Sequence, residues 1–188
     1  MTGPWLAAFA VLWALVLFLA VLVLGVMRRV VPLLDRLEEQ RQTAPGFGLP
    51  AGTKVPAFEA LDREGELVGA DAIPRPGIVL FLEPGCRPCE KLAEELRSEA
   101  ANLDGVPLVF VTPDTAEGRG LIPPAGTALL QSGRAVSLAF QTSITPHAFL
   151  VDTDGWLSGN TIPASVADLT LLAAQLGRKG AEVPTAVG

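Results

Sequence analysis

The chain has 188 residues, 20 acidic against 14 basic side chains, a formal net charge of −6 at neutral pH, two cysteines, one histidine and no tyrosine. The acidic balance and scattered basic residues exclude nucleic acid as a partner, and two cysteines are too few for a disulfide-stapled scaffold. The sole histidine, His147, leaves no second imidazole for a zinc or haem site, and tyrosine chemistry is absent.

Along the chain, Trp5 to Val26 holds no charged residue and almost nothing polar. As a helix this run extends roughly 33 Å, enough to cross a bilayer core. Pro4 suits a first helical turn, Trp5 and Trp13 are aromatic anchors, and Arg28-Arg29 stop the run. A cleaved signal peptide is the alternative. It would need a basic start, a shorter apolar stretch and an Ala-x-Ala site, none of which is present. The pattern predicts a single-pass transmembrane anchor within residues 1–29, with residues 5–27 in the lipid bilayer.

A helical stalk is expected over 28–41, with Val30, Leu33, Leu34 and Leu37 on one side. The Pro/Gly-rich run 43–52 reads as a linker, so residues 30–52 form stalk and linker and a soluble domain follows over 53–177. Its first elements are short strands, Phe58 to Leu61 and Glu66 to Val68, around the turn Asp62-Arg63-Glu64-Gly65. Next come strand 78–82, helix 87–100, strand 107–111, a poorly patterned stretch 113–126 and a short helix 127–139. Strands 147–151 and 156–160 are joined by Asp152-Thr153-Asp154-Gly155, which reads as hairpin turn chemistry. A last helix over 165–176, with Val166, Leu169, Leu172, Ala173 and Leu176 at helical spacing, is capped by Gly177. A disordered tail is expected over 178–188. This order predicts an α/β domain, a mixed sheet flanked by helices.

Both cysteines fall in Leu82-Glu83-Pro84-Gly85-Cys86-Arg87-Pro88-Cys89-Glu90, between a strand and a helix. A Cys-x-x-Cys at the opening of a helix is the local geometry of a redox dithiol. Free backbone N–H groups and the positive end of the helix dipole favour a thiolate at Cys86, and Arg87 adds positive charge. Cys89, one turn later, is placed to resolve a mixed disulfide. Pro88 falls in the first turn, where no intrahelical donor is lost.

With strand, dithiol and the Thr145-Pro146 pair before Ala148-Phe149-Leu150-Val151 in view, the chain resembles the thioredoxin superfamily. It looks most like the membrane-anchored branch of TlpA-like and ResA-like proteins and the MauD-type methylamine-utilisation proteins. The resemblance implies a thioredoxin-like fold and thiol–disulfide exchange, with Cys86 and Cys89 catalytic. It also implies a cis Pro146 lying against the dithiol and Thr145 offering backbone groups to an extended partner. Thr145, Pro146, Arg87 and Pro88 are thus the expected substrate-binding residues. The implied partners are protein dithiols or disulfides and a membrane or soluble redox recycling partner. No cofactor is called for.

The chain departs from the family at Gly85, where many members carry Trp, and at Leu80, where a buried acid often stands. Glu83 is the candidate substitute for that acid, or an ordinary solvated glutamate. His147 reads as a strand-start histidine with a structural hydrogen bond, or as a group touching the dithiol. A metal (copper) binding or delivery module using the Cys pair and His147 is the alternative function. Peroxide chemistry is disfavoured by Glu83, which stands where peroxiredoxin-like proteins place Thr or Ser, and c-type haem attachment fails at Glu90. A purely structural disulfide would close too small a loop to stabilise much. On sidedness the two signals oppose each other. Arg28, Arg29, Arg36 and Arg41 follow the span and no basic residue precedes it, which favours a cytoplasmic domain. The resemblance implies an extracytoplasmic domain at the cell membrane, and that side is adopted.

Overall fold

The computed structural model describes residues 47–98, 103, 105–124 and 126–181, with 3, 5, 9, 11–23, 25 and 28 of the amino-terminal part. The chain divides into two units, Met1–Ala44 and Pro45–Gly188. In the first, residues 11–23 are helical and their large apolar side chains, Leu12, Phe18 and Val21 among them, are exposed. Among the described residues no helix is long and apolar enough to cross a membrane. Apart from Arg28, the stalk expected over 28–41 lies outside the described residues.

The second unit begins with a hairpin, β1 (Ala60–Leu61) and β2 (Leu67–Val68). Its turn is tied by the Asp62 carboxylate, which accepts from Glu64 N at 3.0 Å and Glu66 N at 2.8 Å. There follow a 3-10 turn (Ala70–Ala72), β3 (Gly77–Phe81), α1 (Arg87–Ser98), β4 (Leu108–Pro113) and α2 (Ala116–Gly120). The chain continues through β5 (Thr127–Gln131), α3 (Ala135–Ala139), β6 (His147–Val151), β7 (Leu157–Thr161) and α4 (Val166–Ala181). One seven-stranded sheet results, in the order β2-β1-β5-β4-β3-β6-β7. β3, β4 and β5 run parallel, while β6 pairs antiparallel with β3 and β7 antiparallel with β6. Every residue of β3 and β6 is buried, which matches their unbroken apolar runs, since strands covered on both faces need no polar alternation.

Alternation along the strands splits the core in two. On one face Ile78, Leu80 and Leu82 meet Leu92 and Leu96 of α1 and Leu169, Leu172 and Leu176 of α4. On the other, Val79, Phe81, Val111 and Phe149 meet Val136, Phe140 and Leu49.

Four expectations need correction. Residues 127–131 are a strand, not the start of a helix. Their Ala-Leu-Leu composition suits a helix, but the segment is buried beside β4, and Gly133 (φ 57) and Arg134 (φ 64) separate it from α3. The stretch 113–126 contains α2, capped by Thr115, whose hydroxyl accepts from Gly118 N at 3.1 Å. Residues 47–52 are part of the fold rather than linker: Gly48 N and Leu49 N donate to Gln141 O and Phe140 O at 3.0 and 2.9 Å, and Leu49 is buried. Finally, α4 runs past Gly177 to Ala181, because one interior glycine costs only about 1 kcal/mol relative to alanine; residues 182–188 lie outside the described part.

Candidate active site

β3 delivers the chain to the dithiol. After Leu82 the turn Glu83-Pro84-Gly85 uses glycine at φ 76, a left-handed conformation that costs other residues energy. Cys86 N donates to Glu83 O at 3.3 Å, and Cys86 O accepts from Glu90 N at 3.0 Å, so Cys86 caps the amino end of α1. Its Sγ also lies 3.3 Å from Cys89 N, among the backbone N–H groups that a helix leaves unpaired at this end. Cys86 and Cys89 form a disulfide with Cα atoms 5.2 Å apart. Cys86 is half-buried, whereas Cys89 is fully buried among the aliphatic side chains of the first face. One sulfur is therefore reachable by a partner and the other is not.

The loop before β6 completes the site. Thr145–Pro146 is a cis peptide, Pro146 is buried, and Thr145 O lies 3.6 Å from Cys86 Sγ. A second cis bond, Arg75–Pro76, which the sequence reading does not anticipate, precedes β3. Arg87 and Pro88 are exposed on the first turn of α1. Of the sequence-predicted residues, the structure thus brings together Cys86, Cys89 and the Thr145–Pro146 backbone, and leaves the Arg87 guanidinium in solvent. Leu80 is wholly buried, and Glu83 is half-exposed with no side-chain hydrogen bond among the described residues.

His147 faces away from the dithiol. It pairs with Phe81 across β3 and β6 and so points to the aromatic face, while Cys89 lies in the aliphatic one. The ring is 0% exposed. Its Nδ1 lies 2.6 Å from Thr142 Oγ1 and its Nε2 lies 3.4 Å from Asn160 Oδ1. Phe149 and Phe47 pack on it with ring centroids 4.4 and 5.7 Å away. Burial pushes its pKa below the usual 6.5, with the Asn160 hydrogen bond opposing that shift. With both nitrogens engaged, His147 is a structural histidine, and the copper reading that enlisted it loses its third ligand. Among the described residues no group of three or more His, Cys, Asp or Glu is placed to hold a metal ion. Thr142 and Asn160 are the residues sequence reasoning missed here, five before and thirteen after the histidine.

A Cys-x-x-Cys disulfide with one sulfur buried and the other accessible at a helix amino terminus, faced by the Thr145 backbone, fits a thioredoxin-like protein of the thiol–disulfide oxidoreductase class. No protein-family model matches the chain. Among curated proteins it is 31% identical over 160 residues to methylamine utilization protein MauD of Methylophilus methylotrophus, covering 82% of this chain and 75% of that one. It is 28% identical over 156 residues to the MauD of Methylorubrum extorquens, covering 80% and 76%. The chain belongs to the MauD family. Among solved structures, a thio-disulfide isomerase from Thermus thermophilus is 24% identical and superposes with a TM-score of 0.51 over 66% of this chain and 97% of that one. A thiol:disulfide interchange protein DsbE from Chlorobium tepidum, described as putative in its structure, is 22% identical with a TM-score of 0.55 over 69% and 97%. These two show the fold.

Proposed function

We propose that the chain exchanges disulfides with protein partners through Cys86 and Cys89, held at the cell membrane by a span over residues 5–27. The observation that carries the exchange reading is the 3.6 Å approach of Thr145 O to Cys86 Sγ. It sets a backbone acceptor beside the one reachable sulfur, where an extended partner segment can align. In the reducing direction, the Cys86 thiolate attacks a partner disulfide, forming a mixed disulfide and releasing one partner thiolate. Cys89, deprotonated in turn, attacks Cys86 Sγ; the intramolecular disulfide forms, the second partner thiolate leaves, and two electrons have passed to the partner. The oxidising direction is the same path reversed. Arg87, by favouring the thiolate of Cys86, leans toward the oxidising role. Thr145, Pro146, Arg87 and Pro88 form the rim on which the partner rests.

The anchor rests on the uncharged run from Trp5 to Val26 and the outward apolar side chains of helical residues 11–23. The domain layout, with the two corrections above, is anchor 1–29, stalk and linker 30–46, thioredoxin-like domain 47–181 and tail. An extracytoplasmic domain follows from the family resemblance. The relatives are named for methylamine utilization, which makes proteins of that process the first partners to seek.

The test is a trap. The full-length Cys89→Ser chain, expressed in cells, should accumulate mixed disulfides that disappear on reduction and are absent from the Cys86→Ser/Cys89→Ser double variant. Extracytoplasmic proteins in the trap support both chemistry and side. Cytoplasmic ones overturn the side, and an empty trap under oxidising and reducing growth overturns the exchange.

A further inference from the structure

The single histidine sits directly after the cis proline; one ring nitrogen meets Thr142, where the loop that meets the dithiol begins, and the other meets Asn160 on β7. Asn160 Nδ2 donates to Leu49 O at 3.2 Å, so the amide turns its Oδ1 toward the imidazole and calls for a proton on Nε2. Neutral His147 then carries a lone pair on Nδ1, which accepts a hydrogen bond from the Thr142 hydroxyl across 2.6 Å. The same hydroxyl lies 3.5 Å from Ile144 O, one residue before the carbonyl in contact with Cys86 Sγ. The incoming segment locks this group from outside. Phe47 pairs with Thr142 in an isolated bridge, and a Cβ on Gly48 would run into the Phe149 ring and lie 3.0 Å from His147 Cε1.

We infer that His147 is a positioning residue for exchange, holding the Thr142–Pro146 loop in register with Cys86 when neutral and releasing it when protonated. On protonation Nδ1 becomes a donor. The Thr142 oxygen must then accept, and its proton turns to Ile144 O, where a good bond needs the separation to shrink from 3.5 Å to about 2.8 Å. The backbone beside Thr145 shifts with it. The proton comes from solvent and no covalent bond changes. The groups facing the ring are Phe47, Gly48, Thr142, Phe81, Phe149 and Asn160. None of them titrates or carries charge, so the ring itself is the sensor.

This inference rests on the exchange reading, and its test separates the two. Exchange of the full-length chain with a peptide disulfide is followed from about pH 5 to about pH 8, the range over which histidines change charge. On acidification the thiolate fractions fall in wild type and variants alike and lower kcat; in the wild type KM should also rise about two- to tenfold, the worth of one hydrogen bond. Thr142→Val should flatten that rise and Thr142→Ser restore it. A flat wild-type KM, or a rise that survives in Thr142→Val, overturns the inference. Nitrogen NMR of the imidazole at neutral pH should find the proton on Nε2, and a proton on Nδ1 overturns it independently. Were the wild type to exchange with no disulfide at any pH, the exchange reading would fall, while the imidazole spectrum would still decide the hydrogen-bond assignment.

Discussion

The two faces of the sheet are built from different chemistry. The face that holds Cys89 is mostly aliphatic, filled by leucines of α1 and α4 with Phe110 beside them. By strand alternation it also takes the Thr112 side chain, whose hydroxyl is buried with no hydrogen-bond partner among the described residues. The opposite face sets an aromatic group among its valines and leucines. Phe140 lies 5.2 Å from Phe81 and 5.1 Å from Phe149, centroid to centroid. Its polar groups are paired: Gln131 Nε2 donates to Ser137 Oγ at 2.9 Å, and His147 meets Thr142. The comparison teaches that the dithiol is served from both sides by unlike means. One face beds the Cys89 sulfur among apolar side chains, and the other carries the hydrogen-bonded polar pair, His147 and Thr142, that flanks the Thr145–Pro146 loop.

The sharpest way to break the comparison is Phe140→Ala. Phe140 is 0% exposed at the centre of the aromatic cluster, so its loss should cost about 3–5 kcal/mol, read by chemical denaturation. The aliphatic face should remain packed, leaving the fraction still folded with an oxidisable Cys86–Cys89 pair. Gly48→Ala should cost less, about 1–3 kcal/mol. It forces a side chain into the φ 93 conformation and against Phe149, and the same denaturation series measures it.

A smaller effect is expected from pH. Because burial holds the folded pKa of His147 below 6.5, the unfolded chain takes up the proton first. The stabilisation from neutral His147 is therefore complete above about 6.5 and is lost as the pH falls through the lowered folded value. Comparing Tm against pH for the wild type and His147→Asn checks the sign, since the variant should lack this component. The smallest change should be a gain. Thr112→Val removes an unpaired hydroxyl at nearly constant volume and should stabilise by about 1 kcal/mol; a loss would mean that the hydroxyl has a partner.

What could be read in advance follows the same division. β3, the dithiol turn and α1 were legible because burial on both faces, a Pro/Gly turn and leucines four apart leave direct periodic marks. β5 was not, since a short buried run of Ala and Leu carries no period that separates strand from helix. Residues 47–52 have linker composition, and only hydrogen bonds to Phe140, Gln141 and Leu157, distant in sequence, make them part of the domain. At the site, the cysteines announce themselves by spacing. The role of His147 is set by Asn160 on β7 and by the incoming segment, neither of which any local pattern connects to it.

The way the sheet ends has one further consequence. Outermost strands with long rows of open amides recruit strands from neighbouring molecules. Here one border, β2, is only two residues long. Along the other, Leu157 N donates to Thr53 O at 2.8 Å and Leu157 O accepts from Gly52 N at 2.7 Å, while Lys54 bridges Trp156. The segment 52–54 thus acts as a selvedge at the start of that border, shortening the row of amides left open to a neighbouring copy.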